Sequence, residues 1–278
     1  MQKLQRKLTE SVVPHTVLLA YLVVAMFPIF LVISNSFKTR KAIFANPLMI
    51  PTAETFSTEG YLTVWERAGF PSYFMNSMTV TVVSILLILV VGAMAAFALS
   101  EYTFPGNPLL GIYLALGIMI PIRLGTVGIL RLISSLGLVN TLTALILVYT
   151  AQGLPLTIFV LQSFMQRIPS ELKEAARVDG ASEYRIFGLI LPLVRPAIAT
   201  VAVFVMIPIW NDLWFPLILA PGEKTKTVTL GAQQFLGQFV SDWNAVLASL
   251  SLAMIPVLIL YLIFSRQLIR GITSGAVK

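Results

Sequence analysis

Little in this chain could make or break a covalent bond. The sequence holds one histidine, His15, and no cysteine, which removes thiolate chemistry, disulfides and any metal cluster built on several imidazoles. No HExxH, GxSxG or GxxxxGK[ST] pattern occurs, so the zinc-protease site, the nucleophile elbow and the phosphate-cradling loop are all missing. We therefore assign no catalytic residue and no metal ligand. Two other places carry polar chemistry against a greasy background. One is WNDLWFPLIL, residues 210–219, where Asp212 interrupts an otherwise charge-free stretch. A carboxylate at the centre of a bilayer costs about 2.5–3.5 kcal/mol on insertion scales, so it must face a pore, a partner or the interface. Trp210 and Trp214, one turn apart on one helical face, could stack on a ring or anchor at the membrane surface. With Asn211 and Asp212 they are the candidate contacts for a passing solute.

The other place is PSELKEAARVDGASEYRIFGLILP, residues 169–192, where Glu171, Lys173, Glu174, Arg177, Asp179, Glu183 and Arg185 crowd between long apolar runs. Pro169-Ser170 reads as a helix start with Ser170 as cap, and Glu171 and Glu174 suit the positive end of the helix dipole. Asp179-Gly180 reads as its stop, because glycine accepts the left-handed conformation that ends a helix. Ser182 then caps a second helix with Glu183 in its first turn, returning to an apolar run at Pro192. Leu172, Ala175, Ala176 and Val178 give the first helix an apolar patch, and Glu174 and Arg177 could pair at its rim. Such an object is too polar to insert in lipid and too ordered in its signals to be a random loop. It can pack on its own bundle or dock a partner.

The elements that hold these two places are membrane spans. Hydrophobic residues make up 57% of the 278 and charged residues only 11%, a balance no single soluble core could hide. Charge-free runs cover 11–37, 68–100, 102–122, 132–166 and 243–265, and 196–220 carries only Asp212. Each exceeds the roughly 18 apolar residues that mark a transmembrane helix. The expected fold is an all-α membrane protein of six transmembrane helices. Lys38, Arg40 and Lys41 follow the first span directly, which reads as an uncleaved helix rather than a signal peptide. Residues 72–278 form the expected core domain, with five of the spans and the charged loop at 166–195, after an N-terminal segment, 1–71. Six spans place both termini on one side. With that side cytoplasmic, the inner segments hold 11 of the 19 basic residues, as the positive-inside rule asks. The net charge of +7 then belongs to those loops and to lipid contact, not to nucleic acid.

Details within the spans are also readable. Gly92 and Ala96 form a small-xxx-small pair that permits close helix approach. Tyr61, Leu62, Trp65 and Ala68 share a face that suits a short interfacial helix. Pro121, Gly125 and Gly128, with Arg123 and Arg131, weaken the end of the third span, and broken helices at membrane depth line cavities or are covered by protein.

The loop also carries a resemblance. Glu174, Ala175, Ala176 and Gly180, followed by Leu191-Pro192, are similar to the EAA loop of ABC importer permeases, although Pro192 comes one residue early for that pattern. IPSELKEAARVDGAS, WNDLWFPLIL and the terminal RGITSGAVK resemble the carbohydrate-importer permeases typified by the smaller membrane subunit of maltose transporters. The likeness covers about residues 72–278. It implies a type I importer fold in which the loop is a cytoplasmic coupling helix. Glu174, Ala175, Ala176, Arg177, Asp179 and Gly180 would then dock a separate ATP-hydrolysing subunit. It further implies a second related permease, two ATP-binding cassette subunits that hold ATP and Mg, an extracytoplasmic sugar-binding protein, and a bacterial inner membrane. No cofactor is expected in this chain. The competing expectations are a carrier driven by an ion gradient, and an ABC permease for a non-sugar solute such as a polyol phosphate. The first is weakened because Asp212 is the only acid within any span.

Overall fold

Apolar runs of this length, interrupted by Pro and Gly, can satisfy their backbone groups in lipid only as helices, and helices are what form. The computed structural model describes residues 2–67, 69–236 and 241–276, with side-chain placements for 12–66, 69–236, 241–259 and 261–262. Ala68 of the expected interfacial stripe lies outside the described residues, as does Lys278. The side chains of Lys3, Arg6, Lys7, Arg67, Arg266 and Arg270 lie outside them too.

The elements are α1 (Gln2–Ser36), α2 (Arg40–Ala45), α3 (Glu59–Leu62), a π turn (Thr63–Arg67), α4 (Phe70–Glu101), α5 (Asn107–Met119), a 3-10 turn (Ile122–Gly125), α6 (Thr126–Ser135) and α7 (Leu142–Met165). They continue with α8 (Ser170–Val178), α9 (Glu183–Ile190), α10 (Arg195–Asn211), α11 (Trp214–Leu219), α12 (Val228–Gln233) and α13 (Trp243–Ala276). Among the described residues the only extended pairing is an isolated bridge between Lys38 and Phe56. Among the described residues three helices are long and apolar enough to cross a membrane: Val12–Ser36 within α1, α4 and α7. Two bent pairs, α5 with Ile122–Ser135 at 90° and α9 with α10 at 77°, raise the count to five if each is one span. The sixth expected span corresponds to α13, whose described apolar stretch, Trp243–Ile259, is shorter.

The chain divides into two units. The first comprises residues 1–70 and 231–254. In the most apolar 18-residue window of α1 no residue is buried. Past its end Lys38 is buried, donating from Nζ to Asn35 Oδ1 (2.9 Å) and to the carbonyls of Asn46 (2.9 Å) and Pro47 (3.3 Å). Three neutral acceptors replace its water, and burial lowers its pKa from the ordinary lysine value. Asn244 donates to the Lys38 carbonyl (2.6 Å), which ties the start of α13 to the same knot. In the interfacial segment Leu62 and Trp65 are exposed as the stripe requires, while Tyr61 turns to bond Ser36 Oγ (2.8 Å).

The second unit comprises residues 71–230 and 255–278. Its core is drawn from α4, α7, α9, α10 and α11, with Ile88, Leu145, Leu161, Ile186, Ile190, Val201 and Leu219 all buried. Small residues set the helix spacing: a Cβ on Gly92 would sit 2.6 Å from Thr157 Cγ2, and one on Gly153 2.5 Å from Ile88 Cδ1. Ala96 is fully buried beside them, so the small-residue pair does mark close approach of α4 and α7.

Candidate functional site

The charged loop folds as α8, a glycine turn and α9. Helix α8 starts at Ser170 with Pro169 as the preceding cap, and no side chain closes its first turn. Ser170 is thus the first helical residue and not the expected cap, because Pro169 already fixes the extended backbone there. The C-terminus is a Schellman turn: the Ala181 amide bonds the Ala176 carbonyl (2.9 Å) and the Gly180 amide bonds that of Arg177 (3.0 Å). Gly180 has φ +77°, the left-handed geometry this turn demands. Ser182 precedes α9 as expected, but its carbonyl and not its hydroxyl takes the first amides.

Helix α8 has two unlike faces. Lys173 is buried, and Arg177, one turn on and 36% exposed, reaches the same carboxylate. Lys173 Nζ bonds Glu101 Oε2 (2.5 Å) and Arg177 Nη2 bonds Glu101 Oε1 (2.5 Å) at the end of α4. Arg177 Nε also bonds Glu183 Oε1 (3.0 Å), and Tyr102 donates to Glu183 Oε2 (2.7 Å). The Glu183 and Glu101 carboxylates raise the Arg177 guanidinium further above its ordinary range, and the bond to Glu183 raises the Tyr102 phenol. On the outer face Glu171, Glu174, Ala175 and Asp179 are exposed. Val178 is 88% exposed and Tyr184, just past the turn, 83%. Of the six loop residues singled out, Glu174, Ala175, Asp179 and Gly180 face outward or edge the turn, Ala176 packs on the core, and Arg177 belongs to the inner network. Glu101 was the missed partner. Its signal was available: it is the charge that ends an apolar run and the anion a cationic face would need.

The second place is the break between α10 and α11. Pro208 removes a backbone donor near the end of α10, the helix stops at Asn211, and Asp212 takes an extended conformation. Its carboxylate accepts the amides of Trp214 (3.3 Å) and Phe215 (3.0 Å), which caps α11. Tyr149 donates to Oδ2 (2.9 Å), and Arg123 Nη2 lies 3.4 Å from Oδ1. The side chain of Asp212 is 8% exposed and that of Arg123 66%, so the pair joins a buried anion to a wetted cation. Asp212 therefore meets a partner within its own chain. Because the break falls between them, Trp210 and Trp214 do not share a helix face. Trp210 is buried edge-on to Phe74 (5.8 Å), and Trp214 is partly exposed, donating to Thr126 Oγ1 (3.0 Å) beside Arg123.

A polar cavity of about 210 Å³ opens here, lined by Ile122, Arg123, Tyr149, Gln152, Asn211 and Asp212 among others. The 3-10 turn that follows Pro121 supplies its Arg123 wall, so the broken third span does line a cavity. The structure brings Asn211 and Asp212 to this cavity, sets Trp214 close by, and sends Trp210 to a separate apolar pocket with Met78, Val82 and Met206. Arg123 and Gln152 join from elements remote in sequence, which no local pattern near residue 212 could reveal. The described residues contain no group of three or more His, Cys, Asp and Glu side chains able to hold a metal ion.

These features define a class: an all-helical membrane component with broken spans around a polar cavity and a bare-faced helix available for contact. Residues 69–274 match the family model described as binding-protein-dependent transport system inner membrane component, and the chain belongs to that family. It is 32% identical over 271 residues, 96% of its own length and 89% of the relative's, to the diacetylchitobiose uptake system permease protein NgcG of Streptomyces coelicolor. It is also 32% identical to the melibiose/raffinose/stachyose import permease protein MelC of Bacillus subtilis, over 97% of this chain and 98% of that one. A crystal structure of a bacterial ABC transporter involved in the import of the polysaccharide alginate matches with a TM-score of 0.79 at 21% identity, covering 94% of this chain and 97% of that chain. The fold is therefore that of an ABC importer permease.

Proposed function

We propose that this chain is the permease subunit of an ATP-driven carbohydrate importer, and that its α8–Gly180–α9 loop docks a separate ATP-hydrolysing subunit on the cytoplasmic side. The observation that carries the reading is the division of labour on α8. Its inner face is saturated with ion pairs to Glu101 and Glu183, while Glu174, Ala175 and Val178 stay bare on the outer face. A small, apolar, negatively rimmed surface beside a glycine turn suits a groove on another protein. Sugar as cargo is supported by the relatives named for diacetylchitobiose and for melibiose, raffinose and stachyose. The polar cavity supports it too: Arg123 and Asp212 offset each other's charge, leaving Gln152, Asn211 and the wetted guanidinium edge for hydroxyl groups.

The remaining machinery is a second related permease that completes the pathway, two ATPase subunits that hold ATP and Mg, and an extracytoplasmic binding protein. Both termini lie in the cytoplasm of a bacterial cell. Rocking of the spans about the cavity would then alternate access. A carrier driven by an ion gradient fits less well, because the carboxylate of Asp212 is already engaged by Tyr149, Arg123 and two backbone amides.

The test is purification of the tagged chain from its native membrane in mild detergent, with uptake measured in parallel. The proposal expects an ATPase subunit in stoichiometric amount, and uptake of neutral oligosaccharides that survives collapse of the proton gradient while ATP is maintained. Uptake by the chain alone, lost with the gradient, would overturn it.

A further inference from the structure

We propose that Glu101 is the positioning residue that makes α8 and the end of α4 one moving body. The inference rests on the reading of α8 as the docking helix and asks how a push on that helix reaches the membrane.

Helix α8 is tethered at both ends by turns: residues 166–169 before it, and the Asp179–Ser182 segment with its left-handed glycine after it. Turns of this kind can absorb a displacement by changing a few backbone angles. Some attachment other than the chain is therefore needed to deliver movement of α8 to a span. Ala176 packs on the core, but one methyl group is a slight contact. The ion pairs are the strong attachment. Glu101 is the last residue of α4, a helix of 32 residues and one of the three long enough to cross a membrane.

The geometry is that of a clamp. Each Glu101 oxygen takes one cation, Lys173 on Oε2 and Arg177 on Oε1, both at 2.5 Å. The carboxylate is 8% exposed and Lys173 11%, so water competes poorly for either group. Arg177 then extends to Glu183 through Nε (3.0 Å) and Nη2 (3.3 Å), and Glu183 is held from the far side by Tyr102. Two cations and two carboxylates close a neutral network that joins α4, α8 and α9. Charge-assisted bonds to a shielded carboxylate are the strongest polar contacts available at such a site. Lys173 and Arg177 lie four residues apart on the face opposite the bare one, so the same short helix can hold the span and a partner at once.

The chain has no cysteine, which permits a direct test. Ser170→Cys on α8 and Met94→Cys on α4, both exposed positions, are spin-labelled in the importer purified with its own ATPase subunit and placed in lipid nanodiscs. The inter-label distance is measured without nucleotide and with ATP. With Glu101 present, a single narrow distance that ATP leaves unchanged is expected. With Glu101→Gln the distribution broadens and shifts with ATP, while the amount of ATPase subunit bound stays that of the parent. Lys173→Met, which leaves Arg177 on the carboxylate, gives the same change to a smaller extent and serves if Glu101→Gln fails to assemble. A distance that moves with ATP when Glu101 is present overturns the proposal, as does a Glu101→Gln distribution identical to the parent's. Absence of any ATPase subunit from the parent preparation instead overturns the functional reading beneath it.

Discussion

Substitution of Asp212 separates two accounts of that residue, as a cap that builds the break and as a charge that serves the solute. Asp212→Ala removes the acceptor for the Trp214 and Phe215 amides, and loss of an N-cap costs about 1 kcal/mol. It also leaves the buried Tyr149 hydroxyl without its bond at 2.9 Å, a further cost of about 1–3 kcal/mol. The Arg123 contact adds less than about 1 kcal/mol, because a guanidinium 66% exposed stays hydrated. The total is about 2–5 kcal/mol. Asp212→Asn can keep its oxygen at the Oδ2 position, where the Phe215 amide and the Tyr149 hydroxyl both bond, and gives up only the longer Trp214 bond and the Arg123 contact at Oδ1, so about 1 kcal/mol is expected. Tyr149→Phe should match the Asn variant. Loss of helix signal during SDS titration of the purified chain gives the three midpoints. Equal losses for Asn and Ala would refute the capping argument and make the charge itself the stabilising feature. An Ala variant as stable as the parent would refute the whole description of the break.

Other substitutions probe the remaining elements. Gly180→Val places a β-branched residue at φ +77° with nothing within 4 Å of its Cβ, so its cost of about 1–2 kcal/mol is backbone strain confined to the turn. Membrane insertion, read by extraction and blotting, should be unchanged while uptake falls. Gly153→Val would drive its Cβ to 2.5 Å from Ile88 Cδ1, an overpacking of about 1–3 kcal/mol that lowers the SDS midpoint where Gly188→Ala, with open space around its Cβ, does not. Lys38→Met strands Asn35 Oδ1 without its donor and leaves the Asn46 carbonyl only the longer bond from the Met49 amide, at about 1–3 kcal/mol. Faster limited proteolysis within residues 40–56 is the expected readout.

The loop was legible in the sequence because its signals are local. Pro169, the Asp179-Gly180 pair and Ser182 lie within a few residues of the backbone they shape, and α8 and α9 fall where those residues put them. The break in the third span was legible for the same reason, from Pro121 and Gly125. What escaped are pairings across long separations. Asp212 meets Arg123 and Tyr149 from 89 and 63 residues away, and Glu101 meets Lys173 across 72. Reading Trp210 and Trp214 as one face assumed an unbroken helix, and Pro208 with Asp212 removes that premise. Counting spans from charge-free runs also overlooks bends, since a run such as 102–122 can hold a helix that turns by 90° at its end.

The account stands on the outer face of α8 being covered by an ATP-hydrolysing subunit. The most direct measurement is photo-crosslinking in native membranes with a benzophenone side chain at Val178, which is 88% exposed beside the glycine turn. The account predicts a light-dependent adduct between this chain and an ATP-binding subunit. Adducts only to lipid or within the chain itself would contradict it.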